Sequence, residues 1–392
     1  MKPKFHLVAL AVGLAIAPAA NAADDMFTFR GFGTVGLAHS SEDHADVPTD
    51  FQTDKGVGAS HDTSGLMDSR LALQVDARFS EDFTGVLQAV SEYAVTGSYR
   101  PDVTMAHVRY RFSPAFAVRL GRINAPLYML SEYQRVGYAT PWVRPPTEVY
   151  NYLVPLDGVE ALYTINAGDT VIGLQGFYGE IDSERATVDD LHGLAVHVDR
   201  GPSSFRVSHI RGRAGFSTPP IDQLFDVYAT LPVPGLGEIV DRLDPRRTDG
   251  SFSGVGYSYD PGQWFLRAEA IQADYAPAIT GKTTSGYVSA GLRRGAWTPS
   301  LTFAHVDTDD IEAPGALDPV GLLNGAIAQR RANRHSVTAA LRWDVRDSVA
   351  VKLQGTHVRN HARSFGGLTN FQPGFQPGGS YNLVSASVDF VF

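Results

Sequence analysis

The feature that most constrains this chain is an alternation. Segments of about ten residues place apolar and polar side chains by turns, and turn residues separate the segments. Val337, Ala339, Leu341, Trp343 and Val345 share one parity, while Ser336, Thr338, Arg342, Asp344 and Arg346 share the other. Leu71, Leu73, Val75, Ala77 and Phe79 likewise oppose Arg70, Gln74, Asp76 and Arg78. Val108, Tyr110 and Phe112 oppose His107, Arg109 and Arg111. Successive side chains of a strand point to opposite faces of its sheet, so a period of two predicts strands with one apolar and one polar face. Sixteen such strands are predicted, near 26–38, 66–79, 83–95, 103–112, 116–122, 158–166, 170–180, 191–200, 203–213, 251–260, 263–275, 283–294, 297–307, 333–346, 348–360 and 380–392.

The connections alternate in length. Short ones are Ser80-Glu81-Asp82, Ser113-Pro114-Ala115, Asn166-Ala167-Gly168-Asp169, Asp260-Pro261-Gly262 and Arg346-Asp347-Ser348. Long ones are 39–65, 123–157, 214–250, 308–332 and 361–379. An even number of antiparallel strands with short turns at one end and long loops at the other is the pattern of a transmembrane β-barrel. Hydrocarbon offers no partner to a free peptide group, and strands satisfy all of theirs only in a closed sheet. A soluble sandwich would turn its polar faces to water and bury the apolar ones. Here the polar faces are rich in arginine, which suits a water-filled lumen. Trp264, Phe265, Trp297, Phe116, Tyr257 and Tyr259 lie near short-turn ends, as an interfacial aromatic girdle requires. The fold class expected is all-β: a transmembrane antiparallel barrel with long external loops and short periplasmic turns.

The first 22 residues read differently. Lys2 and Lys4 precede an apolar run from Leu7 to Ala17, then Pro18 and the small-residue pattern Ala20-Asn21-Ala22. This is a cleaved secretory signal by its pattern, and the run is too short for a spanning helix, which needs about 20 residues. After Ala22 no charge-free stretch reaches that length, so 23–392 is expected to be one barrel domain. Removing the two lysines leaves 31 basic against 42 acidic residues. That balance argues against nucleic acid as a partner, which calls for a basic footprint. The absence of cysteine excludes disulfides, thiolate metal sites and cysteine nucleophiles.

The last strand carries Val384, Ala386, Val388, Phe390 and Phe392 on one face, and Ser385, Ser387, Asp389 and Val391 on the other. A chain closing on an aromatic after an alternating strand resembles the assembly signal of bacterial outer-membrane proteins, with Phe390 and Phe392 as its residues. The mature chain as a whole resembles a Gram-negative porin. Phe27-Thr28-Phe29-Arg30-Gly31-Phe32-Gly33 opens the first strand and Val388-Asp389-Phe390-Val391-Phe392 closes the last. Leu120-Gly121-Arg122, followed by a long loop, resembles the strand and constriction loop of trimeric porins. The resemblance implies that 123–157 folds into the lumen, that the protein is a homotrimer, and that the barrel assembly machinery inserts it into the outer membrane. It does not choose between a general and a substrate-selective porin.

Assigning the apolar parity to lipid places Arg30, Arg70, Arg78, Arg109, Arg111, Arg119, Arg206, Arg267, Arg293, Arg342 and Lys352 inside. Asp76, Glu160, Asp199, Glu269, Asp344 and Asp389 share that parity, and the loop adds Glu132, Arg135, Arg144, Glu148 and Asp157. The candidate pore-lining set is therefore Arg70, Arg78, Arg109, Arg111, Arg119, Arg122, Glu132, Arg135, Glu148, Asp157, Arg342 and Lys352. Such groups either filter charged solutes or pair with one another to stiffen the wall. Other motifs carry little. Gly31-Phe32-Gly33-Thr34-Val35-Gly36 matches a dinucleotide fingerprint, but no helical periodicity follows it. His357 and His361 have the zinc spacing of a helix, yet on a strand they stand roughly 13 Å apart. No metal and no cofactor are expected, and no enzyme activity. The expected function is a water-filled channel in lipid, passing small hydrophilic solutes down their gradients with a weak anion preference. An outer-membrane esterase or protease, or an adhesin or receptor using the long loops, stays open as an alternative.

Overall fold

A computed structural model describes residues 26–48, 53–94, 97–150, 155–318 and 321–392. The expected signal segment 1–22 lies outside the described residues. The barrel strands are β1 (Phe27–Ser40), β2 (Arg70–Arg78), β3 (Phe83–Glu92), β4 (Asp102–Arg111), β5 (Phe116–Asn124), β6 (Pro155–Ala167), β7 (Thr170–Asp182) and β8 (Ala186–Arg200). They continue as β9 (Ser203–Phe216), β10 (Thr248–Tyr259), β11 (Trp264–Asp274), β12 (Lys282–Leu292), β13 (Trp297–Thr308), β14 (Arg334–Arg346), β15 (Val349–Asn360) and β16 (Ser380–Val391). Each strand pairs antiparallel with the next, and β1 pairs with both β2 and β16, so the sheet closes with no free edge.

The alternation in sequence becomes alternation in burial. Leu71 and Leu73, Val35 and Leu37, Leu301 and Phe303, and Leu353 are exposed on the outer face. Their neighbours Ala72, Ala38, Thr302 and Gln354 are buried inside. Aromatic rings ring the short-turn end of the outer face. Phe79, Phe83, Tyr110, Phe112 and Phe116 form a continuous chain of contacts, and Trp297 stacks on Trp343 at 5.2 Å. Phe265 departs from the expected girdle. It is buried on the inner face at 1% exposure, because Trp264 takes the outward parity and Phe265 the inward one.

The closing seam is built from glycine and phenylalanine. Gly31 exchanges backbone hydrogen bonds with Phe392 at 2.8 and 3.0 Å. A Cβ on Gly31 would meet the Phe392 ring at 2.3 Å, and one on Gly33 the Phe390 ring at 2.4 Å. The two terminal rings therefore fill the outer-face gaps that these glycines leave, a sheet device for packing an aromatic over a residue without a side chain.

Several boundaries differ from expectation. β2 begins at Arg70 and not near 66, since Thr63–Ser64 pairs with β1 instead. β6, β8 and β10 start earlier than the apolar pattern marks, at Pro155, Ala186 and Thr248. Their added residues extend the ladder above the apolar slab, where alternation of hydrophobicity no longer reports the strand. β7 and β8 are joined at the long-loop end by 183–185 alone. The long loops also contain helices α1 (Pro219–Thr230), α2 (Leu236–Leu243) and α3 (Leu322–Gln329), which bury Phe225, Tyr228, Val240, Leu323 and Ile327 against one another.

Candidate functional site

The segment 125–150, between β5 and β6, lies inside the barrel. Its backbone and side chains are bonded to inner-face residues of strands around most of the circumference. Against β9 and β11, Arg206 donates to the carbonyl of Pro126 at 2.8 Å, Ser208 to that of Leu127 at 3.1 Å, and Glu269 accepts from the Met129 amide at 2.9 Å. The Tyr150 hydroxyl donates to the other oxygen of Glu269. Burial, then the nearby Tyr287 and Glu269, push that hydroxyl well above its ordinary pKa, so it stays a neutral donor. Trp142 is fully buried and donates to Thr302 Oγ1 on β13 at 2.9 Å.

Lys352 on β15 is the anchor of the turn at 137–142. Its Nζ donates to the carbonyls of Gly137 at 2.6 Å and Trp142 at 2.8 Å, and pairs with Asp389 on β16 at 3.0 Å. Asp389 also accepts from Thr34 on β1 at 2.6 Å. Gly137 is demanded by this approach: a Cβ there would fall 2.1 Å from Asp389 Oδ1. Arg342 donates to the carbonyls of Tyr138 and Thr140, pairs with Asp344 at 2.7 Å, and lies over the Tyr138 ring at 4.7 Å. A further cluster is apolar. Ile123, Leu127, Tyr128, Leu130, Trp142, Val149 and Tyr150 pack against Leu156, Phe177, Ile210, Phe252, Ile271 and Tyr287 of the wall.

The remaining candidates divide three ways. Arg119 bridges wall and segment, pairing with Glu160 on β6 and with Glu132 at 3.0 Å. Arg135 and Arg70 both reach Glu92, at 2.8 and 3.6 Å. Glu148 is buried and paired with Arg334 at 3.0 Å, and Arg144 with Asp68 at 2.7 Å. Arg111 is tied to the short turn through Asp82 at 2.8 Å and the Glu81 carbonyl. Arg78 and Arg109 are exposed on the inner parity near that end and have no ion pair among the described residues. Lys352 does not line open lumen at all, being fully buried beneath the segment.

Arg122 and Asp157 are corrections. Leu120 and Val159, two residues before and after them, are exposed on the outer face. The ladder between β5 and β6 runs without a break, pairing Arg122 with Asp157 and Ile123 with Leu156. Ile123 and Leu156 are fully buried in the inner cluster, so their neighbours face outward. There Arg122 and Asp157 form a two-pronged pair at 2.6 and 2.8 Å. Asp157 belongs to a strand and not to the loop, because β6 begins at Pro155.

Sequence reasoning did not single out Glu92, Asp68 or Arg334 as partners. Glu92 carries a usable signal, the inward parity of β3; Asp68 lies off any strand, and Arg334 sits at the start of β14. Among the described residues no three side chains gather to hold a metal. His357 bonds Asn382, whereas His361 stands beside His305 and His335 at 5.7 Å between ring centres.

No sequence-family model and no curated protein matches the chain. Solved structures do. An anion-selective porin from Comamonas acidovorans is similar with a TM-score of 0.57 at 17% identity, covering 93% of this chain and 99% of that one. The outer membrane channel DcaP of Acinetobacter baumannii gives 0.56 at 12% identity, covering 93% and 97%. Salmonella typhi OmpF, in complex with daunomycin, gives 0.56 at 10% identity with the same coverage. The chain thus has the fold of Gram-negative outer-membrane porins, a closed antiparallel barrel of sixteen strands.

Proposed function

We propose that this protein is an outer-membrane channel for passive diffusion of small hydrophilic solutes, with a weak preference for anions. The observation that carries the proposal is a closed barrel with an apolar outer face, whose charged inner wall is crossed by a bonded segment, 125–150. That segment narrows the lumen, and the exposed guanidiniums of Arg78 and Arg109 set the field a solute meets on the short-turn side. The loop carboxylates do not cancel them. Glu148 is paired with Arg334, and Glu132 shares Arg119 with Glu160. Arg keeps its charge at any working pH and binds oxyanions through two parallel bonds, which suits it to this role. Residues 1–22 act as the export signal, the Phe390 and Phe392 end engages the assembly machinery, and the barrel works as a homotrimer.

The test is single-channel recording in planar bilayers with a potassium chloride gradient. The reversal potential should indicate mild chloride preference, and changing Arg78 and Arg109 together to glutamine should move it toward potassium without abolishing conductance. A purified, folded barrel that inserts and passes no current would refute the channel reading. Mass determination of the exported protein, and its mobility with and without boiling, test the cleavage and the trimer.

A further inference from the structure

Above the inner segment, on the long-loop side, the barrel holds a cavity of ≈ 310 Å³. That is the lower end of the volume range of small-molecule sites, about 300–1,000 Å³. Its floor includes Tyr128, Thr147 and Glu148, and its walls include Phe216, Phe252, Ile271 and Tyr275. The lining is thus largely aromatic and aliphatic at one side. Its charged members are Glu148, Arg185, Arg330 and Arg334, three guanidiniums against one carboxylate.

Those guanidiniums are not equivalent. Arg334 is paired with Glu148 and Arg185 with Asp54 at 2.6 Å. Arg331, next in sequence to Arg330, takes two acidic residues of its loop, Asp310 at 2.9 Å and Glu312 at 3.4 Å. The Arg330 side chain has no hydrogen bond or ion pair among the described residues, although it is half-buried. Burial holds its pKa below the ordinary arginine value and no neighbouring carboxylate offsets that. An unpaired cation in a cavity with one aromatic and aliphatic side is the complement of an oxyanion attached to an apolar body. A desolvated charge without a partner is costly, so a ligand that supplies the partner gains affinity from it.

We propose that this cavity is a binding site for a small aromatic carboxylate, whose carboxylate pairs with Arg330 and whose ring lies among Phe216, Phe252 and Tyr275. The site rests on the channel reading only for its place along the solute's path. Sitting above the narrow segment, it would select which anions dwell at the entrance before crossing.

Titration calorimetry with benzoate on the detergent-solubilised barrel reads the site whether or not the barrel conducts. Benzoate should bind, while acetate, which lacks the ring, and benzamide, which lacks the charge, should each bind at least tenfold more weakly. Arg330→Gln should weaken benzoate at least tenfold. Tyr275→Ala should weaken benzoate and leave acetate unmoved. In bilayers, benzoate on the long-loop side should interrupt the current, scaled to each channel's own chloride conductance, and R330Q should shorten the interruptions. Unchanged benzoate affinity in R330Q, in protein that retains its unboiled mobility, would overturn the proposal. So would equal binding of acetate and benzoate, which would reveal a charge filter alone. Benzoate binding without any chloride current would spare the site and sink the channel reading instead.

Discussion

Replacing Lys352 by methionine asks what holds the turn at 137–142 to the wall. Methionine keeps most of the apolar stem and removes three contacts: two carbonyls of the inner segment and the carboxylate of Asp389. Asp389, itself fully buried, keeps its bonds from Thr34 and Ser387 and loses its countercharge. Breaking a buried ion pair by removing one partner costs about 3–5 kcal/mol. Each carbonyl left dry would add about 1–3 kcal/mol, less whatever the turn recovers by moving toward water. None of this touches the ladder, because β14, β15 and β16 stay paired through backbone groups. The sheet therefore stays closed, and undocking the segment, whose Gly137 lies directly over Asp389, relieves the cost by letting water reach the stranded carboxylate. K352M should insert in normal amount and keep its unboiled mobility, while its single-channel conductance rises and becomes noisy. Adding Asp389→Asn removes the stranded charge. Since replacing both members of a buried pair is close to neutral, the double variant should recover much of the 3–5 kcal/mol. If K352M and the double variant are equally quiet, with wild-type conductance, the reasoning fails. The apolar packing of Trp142 would then hold the segment alone.

Other perturbations probe other parts. Leu353→Arg, on the exposed outer face, should cost about 2–4 kcal/mol if Leu353 sits at mid-membrane, read as earlier unfolding in a urea titration in lipid. Deleting Phe392 removes two backbone bonds to Gly31 and a ring that covers it, and should lower the yield of inserted, heat-modifiable protein. Wild-type yield from the deletion would show that Phe390 suffices. Tyr228, bonded to Asp318 at 2.6 Å, is pushed up to about 12 by burial and by that bond. Because its folded pKa is the higher one, the stability it contributes is whole below about pH 10 and is lost as pH rises toward 12. Protease should therefore cut among α1, α2 and α3 faster above pH 10, and Y228F should abolish the added pH dependence.

How much of this was legible follows from what alternation can encode. Parity reports which face a side chain takes, so the sixteen strands and the lipid-facing leucines were readable wherever one face met hydrocarbon. It failed at strand ends. At Pro155–Asp157 the outer face no longer needs apolar residues, and the start of β6 left no mark in hydropathy. The helices of the loops were missed for a related reason: short, of eight to twelve residues, they bury their apolar faces against one another and not in a long amphipathic stripe.

Charge was legible by face and illegible by partner. The inward parity of Arg119, Arg342 and Lys352 is real, yet each spends its donors on a carboxylate or on carbonyls of 125–150. A sequence inventory counts them as lumen cations, whereas in the fold they are the fastenings of the segment that crosses the lumen. The same inventory misassigned Arg122 because it followed position near a loop instead of parity: β5 alternates strictly from Leu120 to Ile123, and that alternation alone puts Arg122 outside. Ion selectivity should consequently track guanidiniums that have no ion pair among the described residues, such as Arg78 and Arg109 on one side of the segment and Arg330 on the other, and not the excess of arginine over acid on the inner wall.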